Sequence, residues 1–441
     1  MARFMLKFFM FYKINNSVGS EKLKSHPYSL PGDNSNKIKE LKKLPSSQSF
    51  YPLKSCSWNH EEKYGIIQLL KGSQLTMGTN VKKFEEEFST YNKTKYSVMV
   101  NSGSSANLII ISSLILCPKY DLNKGDEIIV PAVGWSTSYA PLIQNGLKLK
   151  FVDVNINTWN IDETLVKKAI TKKTKAVLAI NILGNPSNLN LLKDICESNN
   201  IILIEDNCES LGASINKKKS GTFGVAGSNS FHFSHHIQTI EGGMISTNDE
   251  QLFHYLLSLR SHGWIRELPH KNFISNKSGN EFEDLFKFAL PGYNLKPNEI
   301  NGLVGRIQLK KFPKFLLQRN KNARYFNYLF NSSNYCKIQK SFGNSSWFGF
   351  GLILNGKLLN KRALVIYELN KNGVQTRPIV TGNILKNPME KFLNYSIFDK
   401  LINTEIIDTN GLFLGNDHRD LIPQITRVKE VLENILKKHN L

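Results

Sequence analysis

The stretch YSVMVNSGSSANLIIISSL, residues 96–114, changes its periodicity at one point. Tyr96 to Val100 reads as a short apolar strand, and from Ser104 or Ser105 onward the residues suit a helix. Between the two, Gly103 permits an unusual backbone turn. A helix that starts directly after a strand offers free N–H groups and the positive end of its dipole to a phosphate. Gly103 and Ser104 are therefore the candidate phosphate donors, although an ordinary N-cap serine gives the same local pattern.

Working outward, the segments DEIIVPA, LKFVDV, KAVLAIN and IILIEDN repeat the theme. Each is a Val/Ile-rich run of five to seven residues, and helix-like stretches lie between most of them. This alternation predicts an α/β domain built on a mainly parallel sheet. In such sheets ligands collect beyond the carboxyl ends of the strands. Those ends are Asn101-Ser102-Gly103, Pro131, Asn181 and Asp206. Further on, NEINGLVGRIQL places Ile300, Leu303, Val304 and Ile307 at helical spacing, and Pro313 is expected to limit that helix. SSWFGFGLIL, ALVIYELNKNGVQTRPIV and VKEVLENILKKH then suggest a smaller α+β domain. The expected division is 1–47 as a poorly ordered extension, 48–320 as the large domain and 321–441 as the small one.

Bulk composition narrows the function class. The chain has 441 residues, 41% of them hydrophobic, and its longest mostly apolar run, Leu108 to Cys117, is interrupted by Ser112 and Ser113. A membrane span needs about 20 apolar residues, so none is expected. The formal net charge of +21 would suit an acidic partner. The lysines are scattered without interleaved aromatic residues, which predicts a solvated surface rather than a nucleic-acid site. Five cysteines, at 56, 117, 196, 208 and 336, form no CxxC pair, which points to a reducing, cytoplasmic setting and away from an iron–sulfur cluster. The basic, aromatic start MARFMLKFFMFYK lacks a small-residue cleavage site, so it reads as an extension rather than a targeting peptide.

Three further positions carry chemistry. Asp206 stands just beyond four apolar residues of a strand, where a buried carboxylate needs a cation or strong donors; a protonated pyridine nitrogen would serve, and a structural cap is the alternative. Trp135, after another strand, offers a flat face for stacking on an aromatic ring or, equally, a core side chain. In SNSFHFSHHIQTIEGGMISTND, residues 228–249, Ser230 can donate to a phosphate, and two histidines occupy a turn before Glu241-Gly242-Gly243.

The order of these features, phosphate turn, stacking aromatic, ring-nitrogen acid, then serine and Glu-Gly-Gly, resembles the DegT/DnrJ/EryC1/StrS sugar-nucleotide aminotransferases, fold-type I enzymes of pyridoxal phosphate. The resemblance covers nearly everything from Tyr51 to the end. Six residues before Glu241 the family carries the lysine that binds the cofactor covalently; here that place belongs to His235. YPLKSCSW, GDEIIVPAVGWSTSYAPL, LIEDNCESLGA, LPGYNLKP and TRPIVTGN look most like a branch that removes the C-3 hydroxyl of a nucleotide-linked 4-keto-6-deoxyhexose, with GDP-4-keto-6-deoxymannose as the expected substrate.

The resemblance implies a free cofactor, used as pyridoxamine phosphate and regenerated by glutamate, with His235 as general base and then acid. His236 beside it would point elsewhere in an extended segment and reads as structural. Three residues after Asp206, Glu209 replaces the Gln or His common near the cofactor's phenolic oxygen, so a shared proton is expected there. The resemblance further implies a homodimer in which Asn294 contacts the partner's cofactor phosphate, while Arg377 is a candidate substrate contact. Three other readings stay open: an iron–sulfur dehydrase of a CDP-linked sugar, disfavoured because RSHGWIRELP holds no cysteine; an ordinary aminotransferase, which His235 opposes; and an inactive sugar-nucleotide-binding relative.

Overall fold

The computed structural model describes residues 49–439. The expectation of a poorly ordered extension over 1–47 lies outside them.

Along the chain, α1 (His60–Leu69) and α2 (Thr79–Asn92) precede β1 (Tyr96–Val100), α3 (Gly103–Leu116), β2 (Glu127–Pro131), α4 (Ser136–Gln144), β3 (Lys148–Val152), α5 (Glu163–Ala169), β4 (Thr174–Ile180), α6 (Leu189–Ser198) and β5 (Ile202–Asp206). A small hairpin, β6 (Ser214–Ile215) and β7 (Lys218–Lys219), leads to β8 (Ala226–Ser230), β9 (Gly243–Thr247), α7 (Glu250–Arg260), α8 (Glu281–Asp284) and α9 (Glu299–Phe330). The rest is β10 (Cys336–Ile338), β11 (Gly349–Leu354), α10 (Arg362–Lys371), β12 (Tyr395–Ile397), α11 (Ile402–Asn410), β13 (Gly411–Gly415) and α12 (Ile422–Lys438).

Eight strands form one sheet in the order β1-β9-β8-β5-β4-β2-β3-β12. Every neighbouring pair is parallel except the two that involve β9. Seven strands thus run the same way and deliver their carboxyl ends to one edge. The apolar runs seen in the sequence have a direct cause. In β4, Ala176, Leu178 and Ile180 face one hydrophobic core while Val177 and Ala179 face a second on the opposite side of the sheet. A strand buried on both faces has no polar alternation to show.

Helix starts follow their caps. Asn59 and Glu62 close a capping box on α1, and Ser102 caps α3 by accepting from the Ser105 N–H at 3.0 Å. α12 buries Ile425, Val428, Val431, Leu432 and Ile435, a single face at helical spacing, against the second sheet, β10-β11-β13.

One expectation needs correction: Pro313 does not limit its helix, because it lies inside α9, which is 32 residues long and runs on to Phe330. A proline inside a helix costs about 3 kcal/mol through its missing N–H and ring clash. Before it, Phe312 is buried under the large sheet; after it, Phe326 and Phe330 are buried in the core of the small one. Burying each such ring contributes about 1.5–3 kcal/mol, so continuing the helix outweighs ending it. Segments also cross between the two sheets. β12 pairs with β3 at the edge of the large sheet, and Tyr51 packs into the core of the small one.

Candidate active site

At the carboxyl edge of the large sheet lies a cavity of about 350 Å³. Its walls include Gly103, Ser104, Trp135, Asp206, Glu209, Ser230, His235 and Arg377, eight of the nine site residues expected from sequence. Asn294 is not in this wall; its Oδ1 accepts from Lys296 Nζ at 2.6 Å.

The phosphate turn differs in detail from the expectation. α3 begins at Gly103, not at Ser104 or Ser105, and Gly103 has no left-handed backbone. Glycine is required there for space: a Cβ would stand 2.6 Å from Ser230 Cβ and 2.9 Å from Cys208 Sγ. Gly243 acts in the same way from the other side. It is the register partner of both Val100 and Ser230, and a Cβ on it would collide with the Ser102 carbonyl. The glycine of Glu-Gly-Gly therefore lets β9 slide behind the start of α3 and bring Ser230 to the same spot. The Gly103 and Ser104 N–H groups have no acceptor among the described residues. Ser230 Oγ accepts from the His232 N–H at 3.3 Å, leaving its own proton to donate.

Asp206 is buried at the end of β5, and strong donors rather than a cation satisfy it. Its Oδ2 accepts from Asn107 Nδ2 at 2.8 Å and Ser138 Oγ at 2.7 Å; its Oδ1 accepts from the Cys208 N–H at 3.1 Å. Trp135 is no core side chain: it is 55% exposed, just before α4, with the cavity in front of it. Glu209 accepts from the Leu183 N–H at 2.9 Å. Burial pushes its carboxyl from 4.5 up to about 7; the Leu183 N–H pulls partly the other way and Asp206 adds to the rise. A carboxyl of that kind carries a proton near neutral pH, which suits the shared proton expected there.

His235 lies in the loop between β8 and β9, a turn rather than an extended segment, so the orientation argument made for His236 from strand alternation does not apply. The outcome is set by packing. His236 is buried, its Nε2 3.1 Å from the Ser346 carbonyl, while His235 packs edge-on against Phe348 with ring centroids 5.1 Å apart and lines the cavity. Burial pushes His235 from 6.5 down to about 3, with His232, Arg319 and Lys54 adding to it, so its imidazole is neutral. Among the described residues, no lysine lines the cavity. The Arg377 guanidinium stands exposed at the rim with no hydrogen bond or ion pair among the described residues; only its backbone is bonded, to Phe413.

Sequence reading missed Asn107, Ser138, His232, Ser234 and Phe348. The first two had a usable signal: Asn107 is one helical turn after Gly103, and Ser138 sits in the first turn after Trp135.

A helix N-terminus with free donors beside a serine hydroxyl, an exposed indole face and an anchored carboxylate fit the phosphate, ring and ring nitrogen of pyridoxal phosphate. The chain belongs to the DegT/DnrJ/EryC1/StrS aminotransferase family, which it matches over residues 57–429. Among its relatives is the GDP-4-keto-6-deoxy-D-mannose 3-dehydratase of Yersinia pseudotuberculosis, 49% identical over 88% of this chain and 98% of that one. The E. coli enzyme of the same name, solved with bound hydrated PLP, superposes with a TM-score of 0.85 at 48% identity, covering 87% of this chain and 99% of that one. A structure of GDP-4-keto-6-deoxymannose-3-dehydratase with a trapped PLP–glutamate geminal diamine matches equally, with a TM-score of 0.85 at 48% identity over 87% and 100% of the two chains.

Proposed function

We propose that this protein is a pyridoxal phosphate-dependent 3-dehydratase of GDP-4-keto-6-deoxymannose, giving a 4-keto-3,6-dideoxy sugar with glutamate as the amino donor. The observation that carries the reading is His235 in a cavity wall that, among the described residues, holds no lysine. Similarity at 49% to an enzyme of that name supports the substrate.

Pyridoxamine phosphate, when bound, would supply an amine to condense with the sugar's C-4 ketone and a ring that holds the electron pair left at C4′ by proton removal until that pair passes to the sugar and expels the C-3 hydroxyl. The chain's own residues account for the rest. The Gly103 and Ser104 N–H groups and the Ser230 hydroxyl would hold the phosphate, and Trp135 would cover one face of the ring. Asp206, oriented by Asn107 and Ser138, would keep the ring nitrogen protonated. Glu209, protonated near neutrality, would donate to the phenolic oxygen instead of repelling it. His235, neutral in this cavity, would be the base that takes the proton at C4′. Negative charge brought in beside it raises its pKa again, so the same imidazole can hold that proton and return it to the leaving C-3 hydroxyl. Arg377, exposed at the rim and without an ion pair among the described residues, is the proposed contact for the substrate's pyrophosphate.

The active unit is proposed to be a homodimer, with Asn294 serving the partner's site. Five cysteines without a disulfide support a cytoplasmic setting. The test is to incubate the purified protein with pyridoxal phosphate, glutamate and either GDP- or CDP-linked 4-keto-6-deoxyhexose, then measure ammonia and the deoxygenated sugar by mass spectrometry. Ammonia and 3-deoxy product from the GDP sugar are expected; an amino sugar in their place would refute the reading.

A further inference from the structure

Four side chains between β8 and β9 form a line, and one contact within it fixes the direction of the others. The Ser234 backbone N–H reaches His232 Nδ1 at 3.2 Å. A backbone N–H only donates, so that nitrogen presents its lone pair. Ser234 Oγ stands 2.9 Å from the same Nδ1. Unless the hydroxyl proton points at it, two lone pairs would face each other at that distance. With its proton so committed, Oγ offers only a lone pair to His235 Nδ1, 3.5 Å away. At 3.5 Å the contact is long, and that lone pair favours a hydrogen on His235 Nδ1 over a bare nitrogen there. At the far end His232 Nε2 keeps the remaining proton and faces Glu241 Oε1 at 3.6 Å, oriented by charge rather than by a short hydrogen bond.

We propose that Ser234, His232 and Glu241 are positioning residues that hold His235 as its Nδ1–H tautomer and leave Nε2 as the basic nitrogen of the cavity. The proposal deepens the reading of His235 as the base and rests on it for its catalytic meaning. Nε2 is the nitrogen with no hydrogen-bond partner among the described residues. Which nitrogen can act as base is set by the bond the other one makes. The same loop also reaches the phosphate turn, since the His232 N–H donates to Ser230 Oγ. Cofactor seating and the tautomer of the base are thus built on one backbone segment. The low pKa of His235 keeps it neutral, the condition under which a tautomer has meaning.

The experiment is ¹⁵N spectroscopy of purified full-length protein labelled at histidine, with His235 assigned by the signal lost in His235→Asn. The wild type is expected to show a protonated Nδ1 and a bare Nε2 at position 235 near pH 7. Ser234→Ala is expected to mix the two tautomers and to lower kcat for dehydration by about 10- to 100-fold, as when the outer partner of a working histidine is removed, with KM for the nucleotide sugar held. His232→Asn, whose Oδ1 takes the place of Nδ1, should keep the tautomer and most of kcat, whereas His232→Ala should not. A protonated Nε2 on His235 in the wild type overturns the proposal, as does a Ser234→Ala variant with unchanged spectrum and unchanged kcat. If the spectrum is as expected but no sugar is dehydrated, the tautomer assignment stands and the functional reading falls.

Discussion

Glu209→Gln isolates one carboxyl whose proton the fold controls. Free of cofactor, Glu209 has its pKa raised from 4.5 to about 7. The sign follows from linkage: between those values the folded state holds a proton that the unfolded chain has released, so this group's stabilising contribution is complete below pH 4.5 and is lost as pH rises through 7. The whole displacement is worth about 3 kcal/mol, and less to the extent that cavity water reaches the carboxyl. Glutamine keeps an oxygen for the Leu183 N–H and has nothing to titrate. His235 acts in the opposite sense, because its depressed pKa makes the folded state less stable as pH falls from 6.5 toward 3. The two slopes offset each other in the wild type over about pH 4.5–6.5, and the substitution removes one of them. Urea unfolding of the cofactor-free proteins at pH 5, 7 and 8.5 should show the variant gaining on the wild type by about 2–3 kcal/mol from the lowest to the highest pH. Parallel curves for the two proteins would mean that Glu209 ionises like a solvated carboxylate, and the shared-proton argument would fail.

In wild-type protein with pyridoxal phosphate, borohydride should leave no pyridoxyl group on any peptide; in His235→Lys it should fix one at residue 235, with dehydration lowered by about 10²- to 10⁴-fold. A lysine adduct in the wild type would contradict the reading. Gly243→Ala pushes a methyl group into the Ser102 carbonyl and should cost about 1–3 kcal/mol of stability together with weaker pyridoxal phosphate binding, followed by fluorescence titration; unchanged affinity would dissociate this strand from the phosphate turn. His236→Asn removes a buried contact to the Ser346 carbonyl and should cost about 1 kcal/mol in unfolding experiments while retaining most of kcat. Abolished turnover there, with activity kept in His235→Asn, would place the base one residue away.

The sequence by itself determined what depends on neighbours along the chain. β1, β2, β4 and β5 were legible because strands buried on both faces are largely apolar, β3 because of its apolar Leu149, Phe151 and Val152 beside its lysines, and Asp206 because a carboxylate ending such a strand is chemically conspicuous. His235 was placed by counting back from Glu241, a spacing that needs no coordinates. What holds these groups depends on segments far apart, and only the tertiary structure decided it. The two side-chain donors that secure Asp206 Oδ2 come from positions 99 and 68 residues away. Gly103 looked like a turn residue, yet its constraint is the approach of Ser230 and Cys208, which no local pattern encodes. Pro313 read as a helix end because propensity is local, whereas the helix that passes through it is paid for by aromatic burial in two separate cores. The orientation of the base had the same origin: His232, Ser234 and His235 are visible in the sequence, but the proton order among them follows from a backbone N–H whose direction only the folded loop defines.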